Sequence, residues 1–277
     1  MQRGRYVGMT LTTFQPTGRP SKLQDATLWK PKDPSLAPRK YLSLQCSPLV
    51  AHHFKLVHHG GVQLELPQYM APHNYCFDFA EGYPTEVWTF VRLLKDVLTL
   101  RSPEHLDVSV ALDWYTQPQG DGQFWPTEVG ALVQRVKYWV YGDPQAVRDA
   151  KDEVAARLVD VIERHPLLSS APTIVTVPGS KADFKSVGER LARYLAVKTS
   201  KTVVQTECPS GPRTPRKEDP SVNVMGQFVM PQALKGPVLV IDDVYKSGSS
   251  MNAVAAAARA AGATAVYGLA IAKTLSN

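Results

Sequence analysis

The segment PVLVIDDVYKSGSSMNAVAAAARAAGA, residues 237–263, constrains this 277-residue chain more than any other. An apolar run, Val238–Ile241, leads straight into two carboxylates, Asp242 and Asp243. A short spacer follows, then Ser247–Gly248–Ser249–Ser250, an alanine-rich stretch of helical length, and a second apolar run, AVYGLAIA. A short run with no polar alternation reads as a strand buried on both faces, and such strands belong to parallel sheets covered by helices. Strand, helix and strand in succession imply parallel strands joined by crossovers, which places this part of the chain in the α/β class.

The same alternation extends upstream. Pro144 is suited to the first turn of a helix, whose apolar stripe is Val147, Ala150, Val154, Leu158, Val161 and Ile162. Thr173–Val177 is a β-branched run that enters Pro178–Gly179, and a helix with Phe184, Val187, Leu191 and Leu195 on one face follows. Thr202–Gln205 reads as a further strand. Residues 131–277 are therefore expected to form a parallel sheet flanked by helices. Residues 1–40, rich in Pro, Ser, Thr and Lys, are expected to be an irregular arm. Residues 41–130 are expected to form an additional mixed α+β domain, with a helix over 85–100, a strand in LDVSVALDW, and a boundary in the turn-rich stretch 116–127.

Chemistry concentrates in the acidic turn. Ligands of open α/β sheets bind beyond the carboxyl ends of strands, where Asp242–Asp243 are expected to sit. Adjacent carboxylates repel each other there unless they meet hydroxyls, a cation or developing positive charge. Ser247–Ser250 precedes a helix, so exposed N–H groups, serine hydroxyls and the helix dipole favour anionic oxygens. A plain N-capped turn would also contain serine; the combination with the acid pair and the flanking strands favours the ligand reading.

VLVIDDVYKSGSSM resembles the phosphoribosyl-pyrophosphate signature of the type I phosphoribosyltransferases. The resemblance implies that Asp242 and Asp243 contact the ribose hydroxyls and steady an oxocarbenium-like state. It assigns Ser247, Gly248, Ser249 and Ser250 to the 5′-phosphate, and implies Mg2+ carried by the substrate rather than by direct protein ligation. TVPGSKADFKSVGERLARYLA resembles the family's first strand, pyrophosphate loop and helix, which puts Pro178, Gly179, Ser180 and Lys181 near the leaving pyrophosphate. Lys185 reads equally as a ligand contact or a solvated lysine. Residues 207–223 match in position the hood of these enzymes, and Arg213, Arg216 and Lys217 either bring charge to pyrophosphate or form an exposed basic loop. Lys137–Tyr138 and the run Asn223, Gly226, Phe228 bring the order of features nearest to the ComF-like amidophosphoribosyltransferase homologues, over residues 131–277. No Cys-x-x-Cys ribbon is present, and Asp183–Val187 stands where that family carries Arg-Gly-x-Asn-Gln.

What the resemblance implies is phosphoribosyl transfer to a nitrogenous acceptor with release of pyrophosphate. Two other readings stay open: a non-catalytic regulator that senses a phosphoribosyl ligand or nucleotide, and a competence- or DNA-associated protein. The net charge of +6 suits an anionic partner, but the basic residues are dispersed, so it gives nucleic acid little support. No apolar stretch is long enough to span a bilayer, and three scattered cysteines fit a reducing cytoplasm. A homodimer is compatible with this reading. His52, His53, His58, His59, Cys46, His73 and Cys76 fit no standard zinc spacing, so the histidines are expected to be structural or superficial.

Overall fold

The computed structural model describes residues 20–275, apart from 59, 67, 83, 119–122, 138–142 and 215–221. The first half contains β1 (Asp25–Trp29), β2 (Lys40–Gln45), α1 (Pro48–Val57), β3 (Val62–Leu64), β4 (Tyr75–Phe79), α2 (Thr85–Asp96), β5 (Leu98–Leu100), β6 (Val108–Trp114), β7 (Thr116–Pro118), β8 (Phe124–Pro126) and α3 (Glu128–Lys137). The second contains α4 (Pro144–Arg164), α5 (Pro166–Ser170), β9 (Thr173–Thr176), α6 (Val187–Lys198), β10 (Thr202–Val204), β11 (Gly236–Tyr245), α7 (Ser249–Ala260) and β12 (Ala263–Lys273).

The central layer is a six-stranded sheet in the order β10-β9-β11-β12-β6-β5. β10, β9, β11, β12 and β6 are parallel, and β5 closes the edge antiparallel to β6. The α/β expectation for residues 131–277 is met, but the boundary near residue 130 cuts through this sheet. β5 and β6 come from the segment expected to stand apart, and Val108–Trp114 pairs directly with β12. Its burial explains the placement: five successive residues of β6 are buried, so both faces of that strand are covered. The loop after β5 docks on the second half as well. Tyr245 Oη donates to Arg101 O at 2.8 Å, His105 N donates to Asn252 Oδ1 at 2.9 Å, and Arg259 reaches Asp107 at 2.6 Å.

A second, antiparallel sheet, β1-β2-β4-β3, is built from the first half alone. It corrects the expectation of an irregular arm, since Asp25–Trp29 pairs along its whole length with β2; residues 1–19 lie outside the described residues. Other corrections are local. The helix expected over 85–100 stops at Asp96, because Leu98–Leu100 joins the sheet edge. His52 and His53 lie on α1. Phe184 falls outside α6, in the left-handed region at φ 57°, and is exposed.

Helices α3, α4 and α6 cover one face of the main sheet with the larger core, which contains Leu158, Ile174, Leu195, Leu239, Ile241 and Leu269. Helix α7 covers the other face, with its Val254 in one core with Val175, Val238 and Val240. At the rates usual for apolar burial, each fully buried Leu, Ile or Val contributes about 1.5–3 kcal/mol. A buried histidine pair ties the halves together: His53 Nε2 lies 2.8 Å from His165 Nε2, and His53 Nδ1 lies 3.0 Å from Thr99 Oγ1. Burial pushes the His53 pKa down to about 3 and that of His165 well below its ordinary value, so both rings are neutral in the fold. The structural reading of the histidines holds for His53, whose partner His165 was not singled out from the sequence.

Candidate functional site at the carboxyl edge of the main sheet

β9 leads by α6 to β10 on one side, and β11 leads by α7 to β12 on the other. The chain paths therefore diverge between β9 and β11, which opens a crevice beyond their carboxyl ends. The acid pair is placed by unequal strand lengths. β9 pairs with β11 as far as Thr176–Ile241, whereas β12 accompanies β11 to Tyr245–Lys273. Asp242 is thus the first β11 residue beyond the edge of β9. The acids do not terminate their strand, as expected from sequence; they lie within it, on a step in the sheet.

Three groups set the electrostatics of the pair. Asp243 N donates to Asp242 Oδ1 at 2.8 Å, and Lys137 Nζ, at the end of α3, lies 2.7 Å from Asp243 Oδ2. Burial, then the neighbouring Asp243 charge, raise the Asp242 pKa; the Asp243 N–H and Lys137 oppose them. Asp242 keeps a solvent-facing part, and water moderates the push. Close packing of α6 shapes the same spot, since a Cβ on Gly188 would come within 3.2 Å of Asp242 Oδ1. The arrangement favours one bound proton or an external hydroxyl donor at Asp242, while Asp243 is compensated by Lys137.

Ser247–Ser250 forms a tight turn into α7. Gly248 has φ 77°, and a Cβ there would lie 2.2 Å from Tyr245 Oη, so glycine is required on two grounds. Tyr245 is itself held by Arg101 O, and burial raises its pKa. No side chain caps α7, and its first N–H groups have no acceptor inside the helix. Ser247 Oγ and Ser249 Oγ lie 2.7 Å apart. Two hydroxyls and the helix N-terminus thus converge on one turn, a donor set suited to a phosphoryl group.

The loop after β9 is organised differently. Ser186 and Glu189 form a capping box at the start of α6: Glu189 N donates to Ser186 Oγ, and Ser186 N to Glu189 Oε2. The fully buried Glu189 also receives Gly179 N at 3.4 Å. Arg213 N donates to Ser180 O at 2.8 Å, and its guanidinium to Pro178 O at 2.9 Å. Arg213 also lies over the Phe228 ring, 5.4 Å from its centroid. Pro178, Gly179 and Ser180 are thereby set beside the crevice, while Lys181 and Lys185 are exposed. Arg213 reaches this loop as a main-chain clamp; Arg216 and Lys217 lie outside the described residues.

The placement brings Asp242, Asp243 and the 247–250 turn together on β11 and its exit, with 178–181 on the neighbouring strand. Sequence reasoning missed Lys137 as a partner of Asp243 and missed Glu189, although Ser186-x-x-Glu189 is a legible capping signal. It also missed Lys273 at the carboxyl end of β12. This buried lysine has a pKa lowered by burial, donates to Thr274 O and lies 5.7 Å from the Trp114 ring centroid. Among the described residues, no group of three or more His, Cys, Asp or Glu side chains is placed to hold a metal ion, and no helix is long and apolar enough to cross a membrane.

Fold and site together define an α/β protein with an anion-cradling turn beside a carboxylate pair at the divergence point of a parallel sheet. No protein-family model matches the chain, and no curated protein matches it in sequence. Among solved structures, it is similar to orotate phosphoribosyltransferase from Aeropyrum pernix, at 19% identity and a TM-score of 0.33, over 57% of this chain and 73% of that one. It is also similar to purine phosphoribosyltransferase from Pyrococcus horikoshii Ot3, at 12% identity and a TM-score of 0.28, over 45% of this chain and 82% of that one.

Proposed function

We propose that this chain binds phosphoribosyl pyrophosphate and transfers its phosphoribosyl group to a nitrogenous acceptor, releasing pyrophosphate. The observation that carries the reading is the uncapped, left-handed Gly248 turn into α7, at the exit of the strand that carries the Asp242–Asp243 step. The turn accepts the 5′-phosphate through the N-terminal N–H groups of α7 and the hydroxyls of Ser247, Ser249 and Ser250. The ribose then lies towards the step, where Asp242 and Asp243 meet its hydroxyls. Departure of pyrophosphate leaves positive charge on the sugar, and fixed carboxylates beside it stabilise that charge without reorganising. Pro178–Lys181 orients the leaving group, with the Lys181 ammonium free to approach it from solvent. Arg213 holds this loop in place.

Mg2+ fits the site as a substrate-borne ion. One of the two carboxylates of the site is already paired with Lys137, so the ion would be held mainly by the substrate's phosphates and water. When bound, it neutralises the diphosphate and makes it a better leaving group. The proposed setting is a ComF-like protein of nucleotide metabolism in the cytoplasm, either monomeric or a homodimer.

A second reading has its own support. The loop at 178–186 directs several of its polar groups to Glu189 and Arg213, which favours a sensor that binds a phosphoribosyl compound or nucleotide without turning it over. Calorimetry with phosphoribosyl pyrophosphate and Mg2+, on the native chain and on Asp242→Asn/Asp243→Asn, tests binding; absence of heat with the native chain removes both readings. Pyrophosphate release across a panel of bases and amines then separates transferase from sensor. Retardation of DNA or RNA at low salt tests a nucleic-acid role.

A further inference from the structure

A cavity of about 420 Å³ lies between α3, α4 and α6, on the face of the sheet towards which Lys137 holds Asp243. Its floor is apolar: Val154, Ala155, Val187, Leu191 and Ile271. Val187 and Leu191 belong to the apolar stripe of α6, yet both are only half-buried among the described residues, and both line this cavity. The volume falls within the usual range for small-molecule sites, where apolar walls supply affinity and a few polar groups fix orientation. Those groups are unequal in sign here. Among the described lining residues, Lys137, Lys151 and Arg190 stand with one acid, Asp152, while Asp243 lies against Lys137, and the exposed Tyr194 ring adds an aromatic wall. A cationic guest would be repelled, and a neutral one would leave the rim unused.

We propose that this cavity binds a compact aromatic molecule carrying one anionic group, of the aryl carboxylate or sulfonate class. The apolar body rests on Leu191, Ala155 and Ile271, and the anion meets Arg190, Lys151 and Lys137. Lys137 is shared. Its ammonium already pairs with Asp243 at 2.7 Å, so an anion in the cavity competes with Asp243 for the same cation. Occupancy therefore returns negative charge to the Asp242–Asp243 step. Regulation of the sugar-phosphate site by this ligand rests on the function proposed above; the existence of the binding site does not.

The test is a fluorescence titration of the full chain with anilinonaphthalene sulfonate, an aromatic anion whose emission rises in apolar surroundings. Saturable binding is expected in the native chain. Reversing a rim charge with Arg190→Glu, an exposed position that leaves packing intact, should weaken it about tenfold, equivalent to ~1.4 kcal/mol. Ala155→Trp fills the floor and should abolish it, with circular dichroism confirming the fold. Asp243→Asn releases Lys137 and should tighten binding about threefold, the scale of a partly exposed ion pair. A titration unchanged by Arg190→Glu and by Asp243→Asn would overturn the site, whatever Ala155→Trp does. Loss of phosphoribosyl-pyrophosphate heat with an intact dye titration would remove the regulatory consequence and keep the cavity as a site. A dye titration unchanged by Arg190→Glu and Asp243→Asn, with intact heat, would remove the cavity as a site together with its regulatory consequence and leave the proposed function standing.

Discussion

The turn at 247–250 and the loop at 178–186 leave neighbouring strands of one sheet, and both are rich in small and polar residues. They use their backbone in opposite ways. At the turn, Gly248 adopts a left-handed conformation, no side chain caps α7, and the serine hydroxyls face one another. In the loop, Glu189 takes the N–H groups of Gly179 and Ser186, while Arg213 takes the carbonyls of Pro178 and Ser180. One segment presents donors outward; the other directs its own inward and becomes a fixed wall. Two loops of similar composition can thus play complementary parts, because an internal carboxylate does for one what an external anion would do for the other.

The contrast is most directly broken at Gly248. Gly248→Val places side-chain atoms where Tyr245 Oη stands and forces a β-branched residue to φ 77°. Binding of phosphoribosyl pyrophosphate should become undetectable by calorimetry, with a stability loss of about 1–3 kcal/mol in urea denaturation. Acid should act on neither loop first, but on the histidine pair that joins the halves. The His53 pKa is depressed to about 3 in the fold, and an unfolded histidine protonates near its ordinary value of 6.5. Its contribution is complete above that value and is lost as pH falls from there towards 3, by about 2 kcal/mol at pH 5. Urea midpoints measured from pH 8 to pH 4 should fall in this window, and His53→Gln should flatten the fall.

Smaller effects sharpen the contrast from the side of the loop. Ser186→Ala removes the capping-box acceptor from α6 and should cost about 1 kcal/mol of stability, read as a shifted urea midpoint. Its effect on ligand binding should be confined to pyrophosphate, with affinity for ribose 5-phosphate unchanged in parallel titrations. Lys181→Ala should leave the urea midpoint within ~0.5 kcal/mol, because the side chain is exposed, and should weaken pyrophosphate binding in calorimetry.

Much of the second half was legible because its signals are local. Val238–Ile241 is apolar on both faces, Pro144 stands at the start of α4, and a β-branched run precedes Pro178; each element formed close to where the pattern placed it. The first half was read less well, for a physical reason. Leu98–Leu100 continues a helical pattern and Val108–Trp114 alternates like a strand, but no local feature says that either will join the main sheet. The boundary near residue 130 was inferred from turn composition, and a surface turn is compatible with a sheet that continues on either side of it.

The site divides in the same way. The amino-acid sequence determined the acid pair, the need for glycine before α7, and the alternation that makes the sheet parallel, since these follow from backbone preference and hydrophobic period. Tertiary structure decided the rest. The step that exposes Asp242 exists because β9 ends at Thr176 while β12 runs on to Lys273. The Lys137–Asp243 pair, the His53–His165 pair and the clamp of Arg213 on Pro178 each join residues that are distant in the chain. Such contacts depend on how helices pack across a sheet, and that packing is set by the whole core and not by any motif.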